Sequence, residues 1–317
     1  MQALVCHGYG NGENLALESR PLPEPGPGEL RVQVQACGAN ASDWEFITGH
    51  PAYARIARAF MRGRDVFGSD VVGVVDKLGE DVTGIRLGER VMADTFGSFG
   101  GFGAYCVARR DLWVPVPEGV SSIHAAALPQ SGTIAFAAFG QGVAPGMRVL
   151  VNGGGGGSGP LAIQMAVAAG AEVWAVDTAE KSDVMSEAGA VRVLDFTTED
   201  FADHHNTFDL VLDLWGTRPM RQVRRTLRPG GRYMLVGGPL PRIITAALSS
   251  LLGIFNRRKT GLLIVKQGPD ALPALADMVA KGRLAPIVGE VCSLTVAPEA
   301  LTLMGARKVA GKLVVTP

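Results

Sequence analysis

Between residues 149 and 163 the chain reads VLVNGGGGGSGPLAI, and few folds accommodate such a run. A β-branched apolar stretch that ends in glycines and resumes as an apolar, helix-compatible segment is a strand turning sharply into a helix. Glycines remove side chains where a backbone must approach a ligand. The first turn of the following helix leaves unpaired N–H groups at the positive end of its dipole. A diphosphate suits that corner. Gly153, Gly156 and Gly159 form a GxxGxxG, and Asp177 ends the next predicted strand, about 20 residues on, where a carboxylate takes ribose hydroxyls. The alternative at this level is a plain glycine turn with Asp177 as a helix cap.

The surroundings repeat the same alternation. MRVLVNG, AEVWAVD, VRVLDF, FDLVLDLWG, RYMLVGG and LLIVKQ read as strands separated by helical segments such as GPLAIQMAVAAG and KSDVMSEAG. That order predicts βαβ crossovers and a parallel sheet buried on both faces. Before it, ALVCHGYG, LRVQVQACG, VVGVVDKLG and ERVMAD are short apolar runs punctuated by Gly and Pro, the pattern of an antiparallel, barrel-like β domain. The last fifty or so residues return to a helix and short strands. The predicted division is 1–120, 121–268 and 269–317, the last segment rejoining the first. A methyltransferase binding S-adenosylmethionine is a rival, since TLRPGGRYMLVGG resembles a late segment of that class. It leaves the long β-rich domain in front unexplained.

Composition narrows the class. Thirty basic and thirty acidic residues cancel, so no global field favours nucleic acid or an anionic membrane. The four cysteines, Cys6, Cys37, Cys106 and Cys292, form no CxxC pair and follow no secretory leader, which points to a reducing cytoplasm and away from disulfides. The longest apolar run, roughly Ile243 to Phe255, is closed by Arg257, Arg258 and Lys259. It is shorter than the roughly 20 residues of a membrane span and reads as a surface or interface helix.

Several motifs together resemble the medium-chain dehydrogenase/reductase superfamily, and within it the zinc-free quinone oxidoreductase-like branch. Besides the glycine loop, GSDVVGVVDKLGEDVTGIRLGERV (68–91) is similar to GxDxxGxVxxxGxxVxxxxxGDxV, NASDW (40–44) to NPxDW, and VAGKLVV to the GKxVV ending. GTRPMRQVRRTLRPGGRYMLVGG is a further match. The resemblance spans nearly the whole chain. It implies an α/β protein with a GroES-like β-barrel catalytic domain built from both chain ends and a Rossmann domain between them, substrate in the interdomain cleft, and a homodimer. The implied activity is NAD(P)H-dependent reduction of a quinone or an α,β-unsaturated carbonyl. The glycine loop from Gly153 through Gly154, Gly155, Gly156, Gly157, Ser158 and Gly159, with Asp177, Thr178, Lys181, Val236, Gly237, Gly238, Asn40 and Lys312, is the implied cofactor site.

In the zinc-dependent relatives, cysteine, histidine and cysteine ligands stand where this chain has Asn40, Ser69 and Ser131. An amide and two hydroxyls cannot replace thiolate and imidazole around zinc, so no metal is expected, and Cys37 reads as a small buried residue at a strand end. Without a Lewis acid, acceptors that spread the incoming charge into a phenolate or enolate are favoured. Asn40 and Asp43 are expected to border the nicotinamide from a loop, with Asp43 as a turn-organising cap the alternative. Glu45 replaces the tyrosine common among quinone and enoyl reductases and becomes a candidate proton donor. Trp44, Phe46 and Tyr53, around His50, are expected to wall a flat substrate, with Ser131 beside it, and residues 50–67 to form a longer active-site loop. Further departures are Ile134 for a usual threonine and Ala104 for a usual glutamate. They motivate a second reading, a dinucleotide-binding protein without turnover; a carbonyl or alcohol oxidoreductase is a third. Asp177 argues for NADH and Lys181 for NADPH, with NADPH the preferred expectation.

Overall fold

The computed structural model describes every residue except 62, 141, 253–257 and 267. Among the described residues, seven strands come first: β1 (Gln2–Cys6), β2 (Leu15–Ser19), β3 (Glu29–Gly38), β4 (Asp70–Leu78), β5 (Arg90–Asp94), β6 (Tyr105–Arg109) and β7 (Val114–Pro115). Six follow: β8 (Arg148–Asn152), β9 (Glu172–Asp177), β10 (Arg192–Asp195), β11 (Phe208–Asp213), β12 (Leu227–Leu235) and β13 (Lys259–Leu262). The chain closes with β14 (Val288–Ser293) and β15 (Lys312–Thr316). It divides into two compact units, Met1–Thr133 with Gln267–Pro317, and Ile134–Lys266.

In the first unit β3 is the organising strand. It pairs antiparallel with β4 along one edge, and on the other with β6 near its start and β15 at its end. The last strand of the chain therefore lies against Cys37 and Gly38. Alternation along β3 turns Leu30, Val32 and Val34 into the core, which Cys37 joins beyond the irregularity between Val34 and Ala36. The helix Ser122–Ala126 packs on β3 and β4, which is why the first unit extends to Thr133 and beyond the expected boundary at 120.

Two segments read as loops are helices. Ala41–Thr48 starts from a capping box and stops at Gly49 in the left-handed conformation (φ 68°). Ala52–Phe60 occupies half of the expected long loop, residues 50–67. The stretch lacked an obvious apolar period because its inward residues pack in two directions. Phe46 and Ile47 enter the core, Phe46 making ring contacts with Phe67, Phe96 and Phe99. Trp44 lies against helix Ala297–Gly305, where a Cβ at Gly305 would meet its indole at 2.1 Å. Of the expected aromatic wall, Phe46 is a core residue, while Trp44 is half-buried and packs on that helix with part of its surface exposed.

The second unit is a parallel sheet in the order β10, β9, β8, β11, β12, β13, a doubly wound arrangement whose chain order reverses between β8 and β11. Its core gathers Leu150, Trp174, Val176, Leu210, Val211, Phe208 and Tyr233. The edge strand is KTGL rather than the LLIVKQ expected. The anticipated surface helix runs over Leu240–Leu252, with Leu240, Ile244 and Leu248 exposed, and residues 253–257 lie outside the described residues. No described helix is long and apolar enough to cross a membrane.

Phe46 carries much of the burden of holding the 41–48 helix to the first unit. Phe46→Ala is expected to destabilise the protein by about 3–5 kcal/mol, measured by urea unfolding at constant slope.

Candidate functional site

The glycine loop follows β8, as its sequence requires. Gly153 is left-handed (φ 86°), and a Cβ on Gly159 would strike the Gly154 carbonyl oxygen at 2.3 Å. Those glycines serve the turn itself. Gly156 differs: the nearest atom to an added Cβ is 3.7 Å away, so its bare backbone is open to a ligand. Helix Gly159–Ala168 begins after Ser158 with no side-chain cap on its first N–H groups, leaving an anion-binding terminus. Gly156, Gly157 and Ser158 are half-buried. The residues fit a diphosphate.

Asp177, at the end of β9, is 8% exposed. Its Oδ2 accepts from the Gly155 N–H at 3.1 Å and its Oδ1 from the Thr178 N–H at 2.9 Å. Lys181 Nζ lies 3.2 Å from Oδ1, and the lysine stem fills the space that a Gly155 side chain would need. The two residues that gave opposite signals about the ribose form one buried ion pair braced by the loop. Gly237 and Gly238 follow β12, and the Val236 N–H is bonded to the Asp213 carbonyl. Asp213 is a residue the sequence reading missed. It accepts from Asn152 Nδ2 at 2.7 Å and from Tyr233 Oη at 2.9 Å. Burial pushes its carboxyl up to about 6 against those two bonds. Its place as the strand-end acid of FDLVLDLWG, beside the residue that starts the glycine loop, was the available signal.

In the first unit the opening stretch meets residues from far along the chain. Lys312 Nζ, 1% exposed, donates to Asn40 Oδ1 at 2.6 Å, to Asp70 Oδ2 at 3.0 Å and to Ser131 Oγ at 3.0 Å. Asn40 Nδ2 reaches Ser69 Oγ at 3.3 Å. The positions where zinc ligands stand in the zinc-dependent relatives thus do converge, around an ammonium group. Lys312, expected on the cofactor, directs all three of its N–H groups into this hub. Among the described residues no group of three His, Cys, Asp or Glu side chains is arranged to hold a metal ion.

Carboxylates crowd this hub. Asp70 also accepts from the Gln130 N–H at 3.0 Å; burial raises its carboxyl and Lys312 opposes the rise. Asp94, its cross-strand partner, is pushed up to about 7 by burial and by the Asp70 charge. Asp43 is fully buried and closes the capping box, Oδ2 accepting from the Asn40 N–H at 2.8 Å while Oδ1 has no partner. Burial drives it to about 8. It organises the turn and holds Asn40 in place.

Glu45 lies one turn from Ser42 on the same helix face, and Ser42 Oγ donates to Gln130 Oε1 at 3.0 Å, next to Ser131. The Tyr53 hydroxyl, supplied by the second helix, donates to Glu45 Oε2. Burial raises the Glu45 carboxyl, the Tyr53 bond opposing it. Tyr53 therefore meets the site through Glu45, while the His50 ring pairs with Arg55.

Comparison with known proteins adds two family models, the alcohol dehydrogenase GroES-like domain over residues 26–118 and the zinc-binding dehydrogenase over residues 188–315. The chain is 29% identical to quinone-oxidoreductase QR1, chloroplastic, of Triphysaria versicolor, covering 100% of this chain and 98% of the relative. It is 28% identical to 2-methylene-furan-3-one reductase of Solanum lycopersicum, over 75% of this chain and 62% of the relative. Among solved structures, the quinone oxidoreductase from Coxiella burnetii superposes with a TM-score of 0.88 at 26% identity, covering 100% of this chain and 99% of that one. A mycobacterial protein complexed with NADPH gives 0.82 at 27% identity, over the whole of both chains.

Asp43 offers a test of the buried carboxyls. Its folded ionisation lies above the ordinary carboxylate range of about 4, so the folded state holds the proton more tightly and stability is lost as pH rises from about 4 towards 8. Asp43→Asn mimics the protonated form. Urea unfolding from pH 5 to 8 is expected to move in the variant's favour, by up to about 1.4 kcal/mol per pH unit.

Proposed function

We infer that this chain, which belongs to the medium-chain dehydrogenase/reductase superfamily in its quinone oxidoreductase-like branch, is a zinc-independent, NAD(P)H-dependent reductase of quinones or α,β-unsaturated carbonyls. The observation that carries the reading is the Lys312 ammonium at the hub of Asn40, Ser69 and Ser131. A divalent cation at that hub is opposed by a fixed positive charge and offered neither thiolate nor imidazole. Conjugated acceptors suit such a site, because their reduction spreads charge onto an oxygen that hydrogen bonds can stabilise.

The glycine loop, the uncapped helix start at Ser158, Thr178 and the Asp177–Lys181 pair would hold the dinucleotide. When bound, its reduced nicotinamide supplies the hydride. The chain's own residues orient and neutralise. Asn40, locked by Lys312 and by the Asp43 cap, presents an amide of fixed direction. Glu45, half-buried, raised by burial and held by Tyr53, stands as the group that would pass a proton to the reduced acceptor. Lys181 cancels the Asp177 charge, which lowers the repulsion of a 2′-phosphate and supports NADPH as the preferred cofactor. A homodimer is the assembly that family membership supports.

Purified full-length protein with NADPH or NADH and a panel of quinones, enones and saturated ketones tests the reading. Oxidation of NADPH is expected with the conjugated acceptors and not with the saturated ones. Stoichiometric zinc, no turnover with any conjugated acceptor, or a kcat/KM for NADH more than tenfold above that for NADPH would each count against it. Cofactor binding without turnover would favour the non-catalytic alternative.

Glu45→Gln separates the two acceptor classes. An enolate needs a proton on carbon, whereas a hydroquinone anion takes one from water at oxygen. The variant is expected to lose about 100-fold in kcat with enones and far less with quinones, with cofactor affinity unchanged.

A further inference from the structure

Lys312 directs its three N–H groups at three different parts of the chain. Asp70 balances its charge. The other two acceptors, Asn40 and Ser131, are uncharged groups that satisfy the remaining N–H directions of the buried ammonium and are themselves fixed by it. We propose that Lys312 is a positioning residue that turns the Ser131 hydroxyl, and with it the Asn40 amide, into fixed donors for the carbonyl oxygen of a conjugated acceptor, an assignment that rests on the reduction argued above.

A hydroxyl oxygen that accepts an ammonium N–H directs its own proton elsewhere and is polarised by the bond it accepts. Ser131 Oγ accepts from Lys312, and its own proton meets no acceptor among the described hydrogen bonds. Its helix neighbour Thr133, by contrast, donates back to the Pro129 carbonyl. Asn40 repeats the pattern. With Oδ1 held by the ammonium, Nδ2 faces Ser69 Oγ at 3.3 Å and the Gly38 carbonyl at 3.5 Å, both long for an amide donor, and the Asn40 side chain also steadies the Asp70 carboxylate. The accessibility the hub retains lies on these two residues: Asn40 is 6% and Ser131 2% exposed, against 0% for Ser69 and Asp70.

In the proposed step a reduced nicotinamide, when bound, would supply the hydride to the acceptor's electrophilic carbon. The displaced π pair moves to the carbonyl oxygen, which becomes a C–O⁻ bonded by the Ser131 and Asn40 donors. No proton passes from Ser131. The proton that completes the reduction comes from Glu45 for an enone or from water for a quinone. Ser131 is the group that meets the substrate; Lys312 acts through it.

Binding of p-nitrophenol, followed by its absorbance across pH, tests the donors without turnover. Wild-type protein is expected to bind the phenolate at least tenfold more tightly than the neutral phenol. Ser131→Ala should remove most of that preference, Lys312→Met should remove it too, and the double variant should lose no more than Lys312→Met alone. Ser131→Ala is also expected to lower kcat with conjugated acceptors by about 100-fold, with NADPH affinity by fluorescence within twofold of wild type. No phenolate preference in the wild type, its survival in Ser131→Ala, or additive losses in the double variant would overturn the assignment. Should Lys312→Met fail to fold, Ser131→Ala decides the matter alone. A wild type that prefers phenolate yet reduces no acceptor supports the assignment and rejects the parent reading; turnover with Ser131→Ala unimpaired does the reverse.

Discussion

An ammonium group with 1% exposure cannot be left unpaired in a protein interior, because desolvating a lone charge costs more than a domain's whole margin of stability. Lys312 meets that demand with an amide, a carboxylate and a hydroxyl drawn from the 41–48 helix cap, the start of β4 and the start of the Pro129–Phe139 helix. The requirement for all three at once ties the final strand to the middle of the first unit. β15 pairs beside Cys37 and Gly38 in the register that delivers its lysine to the hub. A Cβ on Gly38 would meet the Lys312 side chain at 2.7 Å, so the glycine in the CG step makes room for it.

The carboxyls around that lysine divide by what they can find. Asp70 has the ammonium and a backbone N–H. Asp43 has one backbone N–H and a bare oxygen, and Asp94 has the Phe96 N–H. Burial acts on all three, but only Asp70 has a cation in direct contact, so Asp43 and Asp94 are pushed up to about 8 and about 7. Lys312 thus opposes the rise at Asp70 by direct contact, while Asp43 and Asp94 meet burial with backbone donors alone. In the second unit the same economy appears as a matched pair: Asp177 and Lys181 neutralise each other beneath the glycine loop, and Asp213 is held by two uncharged donors.

Much of the fold was legible because its signals are local. A strand, a glycine turn and a helix follow one another in adjacent residues, and the alternation of strands and helices in residues 148–262 reports a parallel sheet directly. The 41–60 region was not legible in the same way. Phe46 packs toward an aromatic cluster and Trp44 toward another helix, so no single apolar face announced two helices. Position 45 illustrates the limit: Tyr53 supplies a phenol to Glu45 from the next helix, a contact that becomes visible only when both helices are placed.

The sequence by itself determined the two textures of the chain, the glycine corner from Gly153 to Gly159, and the absence of thiolate and imidazole at positions 40, 69 and 131. Each follows from residue type and near-neighbour order. Only the tertiary structure decided what stands at those positions instead. The bonds from Lys312 join residues separated by 272, 242 and 181 positions, and nothing in a GKLVV ending indicates which oxygens its lysine will meet. Hydrogen bonds act over about 3 Å, so partners so distant in sequence are chosen by the packing of β15 against β3 and of the Ser122–Ala126 helix against the same sheet.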